Sequence, residues 1–196
     1  MEGVEAFRFL LALKGEALRE EVRSRFPRLV PLLKALGEEV EARGEAFHLT
    51  RPLRLSWFAP LFAARFPLLP PEERLLALER LLEAAHTSAE AGEPLVEGDG
   101  LLAAARAFQR GSEALLKGRH REALHLYGQG LGLLEGAGLP FPATALALLA
   151  LAQEGFRPGG KGQKTARKAL ERAETAFAKA LAAKVLGTTE ESPKRP

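Results

Sequence analysis

The chain has 196 residues, of which 46% are hydrophobic and 27% are charged, and its formal net charge is +3. This length allows one large domain or two small ones, and the composition excludes a disordered chain. The absence of cysteine excludes disulfides, thiolate metal sites and a cysteine nucleophile, and it favours a cytoplasmic location. We expect no secretory signal, because the Met1 end shows no charged region followed by a long apolar run. We expect no membrane association, because the most apolar stretch, Ala143–Ala152, is too short to cross a bilayer.

Charge is distributed unevenly along the chain. Residues 1–55 carry ten Lys and Arg against nine Asp and Glu, a balance of +1; residues 56–100 carry three against eight, or −5; residues 101–196 carry fifteen against eight, or +7. One interpretation is that these charges lie on solvated helix faces. The other is a basic surface for nucleic acid near the ends of the chain.

The first 55 residues have the pattern of three short helices followed by a hairpin. Apolar side chains recur at helical spacing up to residue 36, and they then partly alternate around a glycine, as in a β-hairpin. The predicted elements are helices Val4–Lys14, Glu16–Arg25 and Arg28–Leu36 and a hairpin from Val40 to Leu49. This order is typical of a winged-helix domain, in which the second and third helices form the helix-turn-helix and the hairpin forms the wing.

From residue 56 onwards the pattern is purely helical. Predicted helices cover Trp57–Phe66, Pro71–Ala85, Leu101–Leu116, Arg119–Leu134, Ala143–Glu154 and Thr165–Leu186, with a loop at Thr87–Gly100. We therefore predict a winged-helix-like domain at 1–55, a helical domain at 56–186 and a flexible tail at 187–196.

The helix pair from 101 to 134 shows the strongest internal pattern. Small residues and one tyrosine follow each other at intervals of three to seven: Gly111, Gly118, Ala123, Tyr127 and Gly130. Gly118 can take a positive φ at a helix end, and the other small residues would let two helix backbones approach closely. Tyr127 would fill the groove between neighbouring helix pairs. This spacing is similar to that of TPR units, which are antiparallel helix pairs of about 34 residues.

Further repeats are less clearly marked. Residues 143–184 follow the same plan with a longer turn, and the helices at 57–66 and 71–85 can form another pair. Because Leu and Ala dominate the composition, a generic helical bundle is the alternative. The predicted fold class is mainly α: an N-terminal winged-helix-like three-helix unit with a short β-hairpin, followed by TPR-like antiparallel helical hairpins.

Five segments carry a resemblance to a known family: Phe9–Leu13, Leu33–Val40, Arg43–Leu49, Leu53–Phe58 and Gly92–Leu95. In these segments the chain resembles bacterial transcriptional activators of the antibiotic-regulatory type. Those proteins join a winged helix to a TPR-like bacterial transcriptional activation domain. The resemblance implies that the first domain binds repeat DNA and that the helical domain dimerises or contacts the transcription machinery.

The candidate DNA contacts are cations of the second and third helices and of the wing tip: Arg23, Arg25, Arg28, Lys34 and Arg43. Such side chains contact phosphates. Base edges are read by polar side chains on an exposed helix face, and the third helix offers only Arg28 and Lys34. Pro31 is compatible with this helix only near its start. A winged-helix-like unit that serves protein contact is therefore the open alternative.

A second basic segment lies in the helical domain and contains Arg157, Lys161, Lys164, Arg167, Lys168 and Arg172. It is interpreted either as an ordinary polar helix face or as a patch for a phosphate backbone or an acidic partner.

No pattern of catalytic residues is present. The four histidines are scattered, no serine lies in a nucleophile elbow, and the glycine-rich run 155–162 lacks the Ser or Thr that a phosphate loop places after its lysine. We predict no enzyme, no metal site and no cofactor.

The leading hypothesis is a transcriptional regulator that binds DNA through the winged helix and a protein partner through the helical domain, with a homodimer expected from the family resemblance. The alternative is a TPR-type adaptor without DNA binding. An accessory subunit of an enzyme is a third hypothesis.

Overall fold

The computed structural model describes residues 2–194, with side chains for residues 3–187. Within this range the chain forms ten α-helices and one small antiparallel sheet of three strands, so the prediction of a mainly helical protein is confirmed. The N-terminal elements are α1 (Glu2–Lys14), β1 (Glu16–Leu18), α2 (Arg19–Arg25), α3 (Leu29–Leu36), a 3-10 turn (Gly37–Glu39), β2 (Val40–Arg43) and β3 (Ala46–Leu49).

The sheet has the strand order β1-β3-β2, and its first strand was not predicted. The predicted helix from Glu16 is wrong at residues 16–18, which pair with β3 so that Ala17 lies opposite Phe47. Gly15, with φ +81°, ends α1 and turns the chain into this strand. Ala17 is buried while its two neighbours are exposed, and three residues are too few for the sequence alone to show this alternation.

The hairpin of β2 and β3 and the third helix lie where the sequence predicts them. Gly44, with φ +61°, occupies the hairpin turn. Helix α3 begins at Leu29, so Pro31 lies in its first turn, where a missing N–H leaves no intrahelical hydrogen bond unmade.

In the described residues the helical part contains seven α-helices where the sequence predicts six, and some of them are longer than predicted. It comprises α4 (Leu55–Arg65), a 3-10 turn (Phe66–Leu68), α5 (Pro71–Glu90), α6 (Leu101–Leu116), α7 (His120–Gly136), α8 (Ala143–Phe156), α9 (Lys161–Arg172) and α10 (Ala176–Lys194). Helix α5 continues through residues predicted as loop because Thr87 and Ser88 hydrogen-bond to the chain at the start of α4.

The predicted single helix at Thr165–Leu186 is wrong: it is two helices with a break at residues 173–175. The Thr175 hydroxyl accepts the Ala178 N–H at 3.2 Å and so caps the start of α10. Of the predicted flexible tail, residues 187–194 continue α10, and residues 195–196 lie outside the described residues.

The main core lies among α4 and four helices that pack in a ring. Helix α5 packs on α6, α6 on α7, α7 on α8, and α8 again on α5, while α9 and α10 pack on α8 from outside. Helix α1 joins this core with Phe9, Ala12 and Leu13, and it faces a second, smaller core with Phe7 and Leu11. The main core thus crosses the domain boundary predicted at residue 55.

Candidate functional site

The five cations predicted to contact DNA are all exposed, but they are not equivalent. The Arg25 guanidinium lies 3.4 Å from the Glu73 carboxylate of α5, and that of Arg43 lies 3.6 Å from Glu41 in the same hairpin. Within the described part of the chain, Arg23, Arg28 and Lys34 form no ion pair. These three are therefore the side chains most available to phosphate.

The outward face of α3 is otherwise apolar. Val30 is 74% exposed, Pro31 and Ala35 are exposed beside it, and Leu32 and Leu36 point into the small core. None of the three exposed apolar side chains can donate or accept a hydrogen bond, so Arg28 and Lys34 are the only groups of this helix suited to reading base edges.

Two of the predicted packing glycines lie at the seam between α6 and α7. A Cβ added at Gly111 would lie 2.5 Å from Cδ1 of Tyr127, and one at Gly130 would lie 2.5 Å from Cε2 of Phe108. Neither position has room for a side chain. Gly118 has the predicted positive φ, +76°, but its surroundings are open, so its role is in the turn and not at the seam.

Ala123 and Tyr127 are fully buried, as small and groove-filling residues should be. The Tyr127 ring stacks on Phe108 at 5.4 Å between ring centroids and lies against Gly111, both on α6. These contacts lie inside its own helix pair, whereas the sequence suggested the groove between pairs.

The predicted basic patch lies along α9 and the turn before it. Arg157, Lys161, Lys164, Arg167, Lys168 and Arg172 are exposed, while the opposite face of α9, with Gly162, Gln163, Ala166 and Ala169, is buried. Arg172 donates to the Phe141 carbonyl at 2.8 Å. Within the described residues the other five form no ion pair, and Glu171 is the one exposed carboxylate on α9.

A buried chain of polar side chains links α5, α6 and α7, and sequence reasoning missed it. His86 Nδ1 lies 2.7 Å from the Ser112 hydroxyl, which lies 2.8 Å from the Tyr127 hydroxyl. All three side chains are almost completely buried. His86 and Ser112 are 26 residues apart and match no motif, so only the packing of α5 on α6 reveals their contact.

The direction of these hydrogen bonds follows from counting protons. Burial raises the pKa of the Tyr127 hydroxyl well above its usual range, so Tyr127 stays protonated and donates to Ser112. Ser112 must then donate to His86 Nδ1, because any other order leaves one buried hydroxyl proton without an acceptor among the described residues. His86 therefore carries its proton on Nε2.

The protonation of His86 is controlled by its surroundings. Burial lowers its pKa below the usual 6.5; Glu90 opposes this shift and Lys184 adds to it. A proton on Nδ1 would also face Ser112 and displace the hydroxyl proton that points there. His86 is thus a neutral ring at neutral pH, with an N–H directed away from Ser112.

A hollow of about 610 Å³ opens beside His86, where the C-terminal ends of α5, α6 and α8 meet α10. Its apolar walls are Leu115, Leu116, Leu151, Phe177, Leu181 and Val185. Its polar groups include His86 and Glu90, whose Nε2 and Oε2 atoms are 3.9 Å apart. This volume is in the range of small-molecule sites.

Two classes of site are not found in the described residues. No group of three or more His, Asp or Glu side chains there is arranged to hold a metal ion. None of the helices in that range has the length and apolar character needed to span a bilayer.

Comparisons with protein-family models, with curated proteins and with solved structures gave no significant match. The functional argument therefore depends on the geometry of the chain itself.

Proposed function

We propose that this protein is a transcriptional regulator that binds DNA through its N-terminal unit and a protein partner through its helical domain. The element order α1-β1-α2-α3-β2-β3, with the sheet order β1-β3-β2, supports a winged helix. In such a unit α3 would enter the major groove and the β2–β3 hairpin would be the wing.

The proposal depends on one observation, which is the exposure of α3. Arg28 and Lys34 are exposed at the two ends of this helix, and α4 and α5 pack on α1. With Arg23 they provide three cations that have no competing ion pair in the described residues. When such cations contact DNA phosphates, they displace counterions bound to the DNA. This release favours binding without base contacts.

Because the rest of α3's outward face is apolar, we expect binding that depends weakly on sequence. The seam between α6 and α7, closed at Gly111 and Gly130, supports a TPR-like pair in the helical domain. A homodimer would place two α3 helices about one helical turn apart on DNA, and light scattering tests this state.

A salt titration of DNA binding tests the proposal. The measurement is fluorescence anisotropy of a labelled duplex with the full chain, from low to physiological salt. Each phosphate contact contributes about 0.9 to the slope of log affinity against log salt. The double variant Arg28→Glu with Lys34→Glu should therefore reduce the slope by roughly 2 and weaken binding at low salt.

The matched control is Arg110→Glu with Lys117→Glu, which makes the same charge change at exposed residues of α6 and its C-cap. The control should keep the wild-type slope, because these residues belong to the other part of the chain. Equal losses in the two double variants would show that DNA binds through overall charge, contrary to the proposal.

The second candidate is an adaptor without DNA binding, and a specific observation favours it. Val30, Pro31 and Ala35 form an apolar patch on the face that would meet DNA. An exposed patch of this kind suits a protein partner. If the folded protein fails to bind any duplex at low salt, the adaptor replaces the regulator.

A further inference from the structure

The hollow beside His86 is lined by residues of α5, α6, α7, α8 and α10 and by Pro158, and most of its wall is apolar. Leu116 remains 52% exposed at the rim. Phe177 of α10 lies opposite and contacts the His86 ring at 5.8 Å between centroids. The apolar lining is therefore accessible from outside while it continues into the protein.

Two polar groups of the hollow, on His86 and Glu90, are a donor and an acceptor that do not bond to each other; His120, Glu154 and Lys184 also line it. His86 presents its Nε2 proton, because Ser112 occupies Nδ1. The Glu90 carboxylate, about half exposed, offers acceptors 3.9 Å away, which is too far for a hydrogen bond. One hydroxyl group placed between the two atoms, about 2.8 Å from each, would accept from His86 and donate to Glu90.

Charge limits the ligand further. An anionic head group placed between His86 and Glu90 would meet the Glu90 carboxylate, and an ammonium group there would place its protons against the Nε2 proton of His86. Lys184 and Glu154 line other parts of the hollow. An ether lacks the proton that a bridging hydroxyl supplies to Glu90.

We propose that this hollow binds a neutral apolar molecule that carries a hydroxyl group, with the hydroxyl between His86 Nε2 and Glu90 Oε2 and the apolar body among Leu115, Leu151 and Phe177. This site goes beyond the proposed function and does not require it. No residue of α3 or of the hairpin lines the hollow.

A matched set of probes tests the site: naphthylethanol, its methyl ether, naphthylethylamine and naphthylacetate. They share one apolar body and differ in the head group, and binding to the full chain is measured by calorimetry and by the shift of the melting temperature. The alcohol should bind at least about tenfold more tightly than the ether, because only the alcohol gives Glu90 a proton. The amine and the acid should bind more weakly than the alcohol.

Substitutions at two exposed residues that line the hollow, Glu90 and Leu116, locate the site without destabilising the fold. Glu90→Ala should remove the preference for the alcohol over the ether, whereas Glu135→Ala, an exposed glutamate on α7, should retain it. Leu116→Ser should weaken the alcohol and the ether equally.

The proposal is overturned if the alcohol and the ether bind equally to the wild type, if the acid binds most tightly, or if none of the probes binds. DNA is absent from these assays, so their outcome is independent of the DNA-binding proposal.

Discussion

At the scale of single residues, the glycines of α7 differ in whether helix packing requires them. Gly130 meets Phe108, whereas a Cβ at Gly132 would meet nothing within 4 Å. The sequence predicted the role of Gly130 because its spacing from Gly111 and Tyr127 is similar to that of TPR units. It could not predict which of the other glycines lie at an interface, since that depends on the rotation of α7.

We expect Gly130→Ala to destabilise the protein and Gly132→Ala to stabilise it. Both changes gain up to about 1 kcal/mol of helix propensity. Only the first forces a methyl group against the Phe108 ring, and such overpacking costs about 1–3 kcal/mol. Urea denaturation of the two variants measures the difference, and equal stabilities would show that α6 and α7 do not cross closely here.

The buried chain of His86, Ser112 and Tyr127 makes stability depend on pH. The unfolded chain takes up a proton at His86 near the usual pKa of 6.5, and the native chain does so only at lower pH because burial lowers the pKa. Native stability should therefore fall as the pH drops below about 6.5, by at most about 1.4 kcal/mol per pH unit.

The variant His86→Asn isolates this effect, because an asparagine oxygen can still accept from Ser112 but does not titrate. Its free energy of unfolding should decline less than that of the wild type between pH 7 and pH 5. The comparison is needed because burial raises the pKa of Glu79 and of Glu83, which adds native stability as the pH falls. Parallel pH profiles for the two proteins would contradict the assignment.

At the scale of elements, the sequence predicted helices well where a glycine or proline ends them and poorly elsewhere. Helix α6 has the predicted bounds, Leu101–Leu116. The break between α9 and α10 was missed because Ala and Leu continue through it, and Thr175 gives no periodic signal. Strand β1 was missed for a related reason, since its three residues form a strand only when β3 lies beside them.

Thr175→Ala should destabilise the protein by about 1 kcal/mol through the loss of the cap on α10. Thr175→Ser is the matched control, because it retains the hydroxyl that accepts the Ala178 N–H. Denaturation midpoints of the two variants provide the test. If serine costs as much as alanine, the methyl group of this buried threonine matters and the cap does not.

At the scale of the whole molecule, α1 belongs to two cores at once. Phe9 and Leu13 lie in the main core, while Leu11 lies in the small one, and Arg80 of α5 donates to the Leu13 carbonyl at 2.8 Å. The sequence showed apolar residues at helical spacing here but not that two partners share them. We therefore expect the N-terminal unit and the main core to unfold together.

The variant Leu11→Ala tests this coupling. Removal of a buried leucine side chain typically costs about 2–5 kcal/mol. Trp57, the only tryptophan, packs against the other core, yet its fluorescence transition should move to lower denaturant together with the far-UV signal. An unchanged Trp57 transition would mean that the two cores unfold independently.

Because α1 packs against both cores, few of its residues can be substituted. Of the side chains from residue 3 to residue 14, only those of Glu5 and Lys14 are exposed. A randomised library of this helix should therefore tolerate almost any residue at these two positions and very few at the others. An ordinary surface helix, with one free side, would accept changes along half of its length.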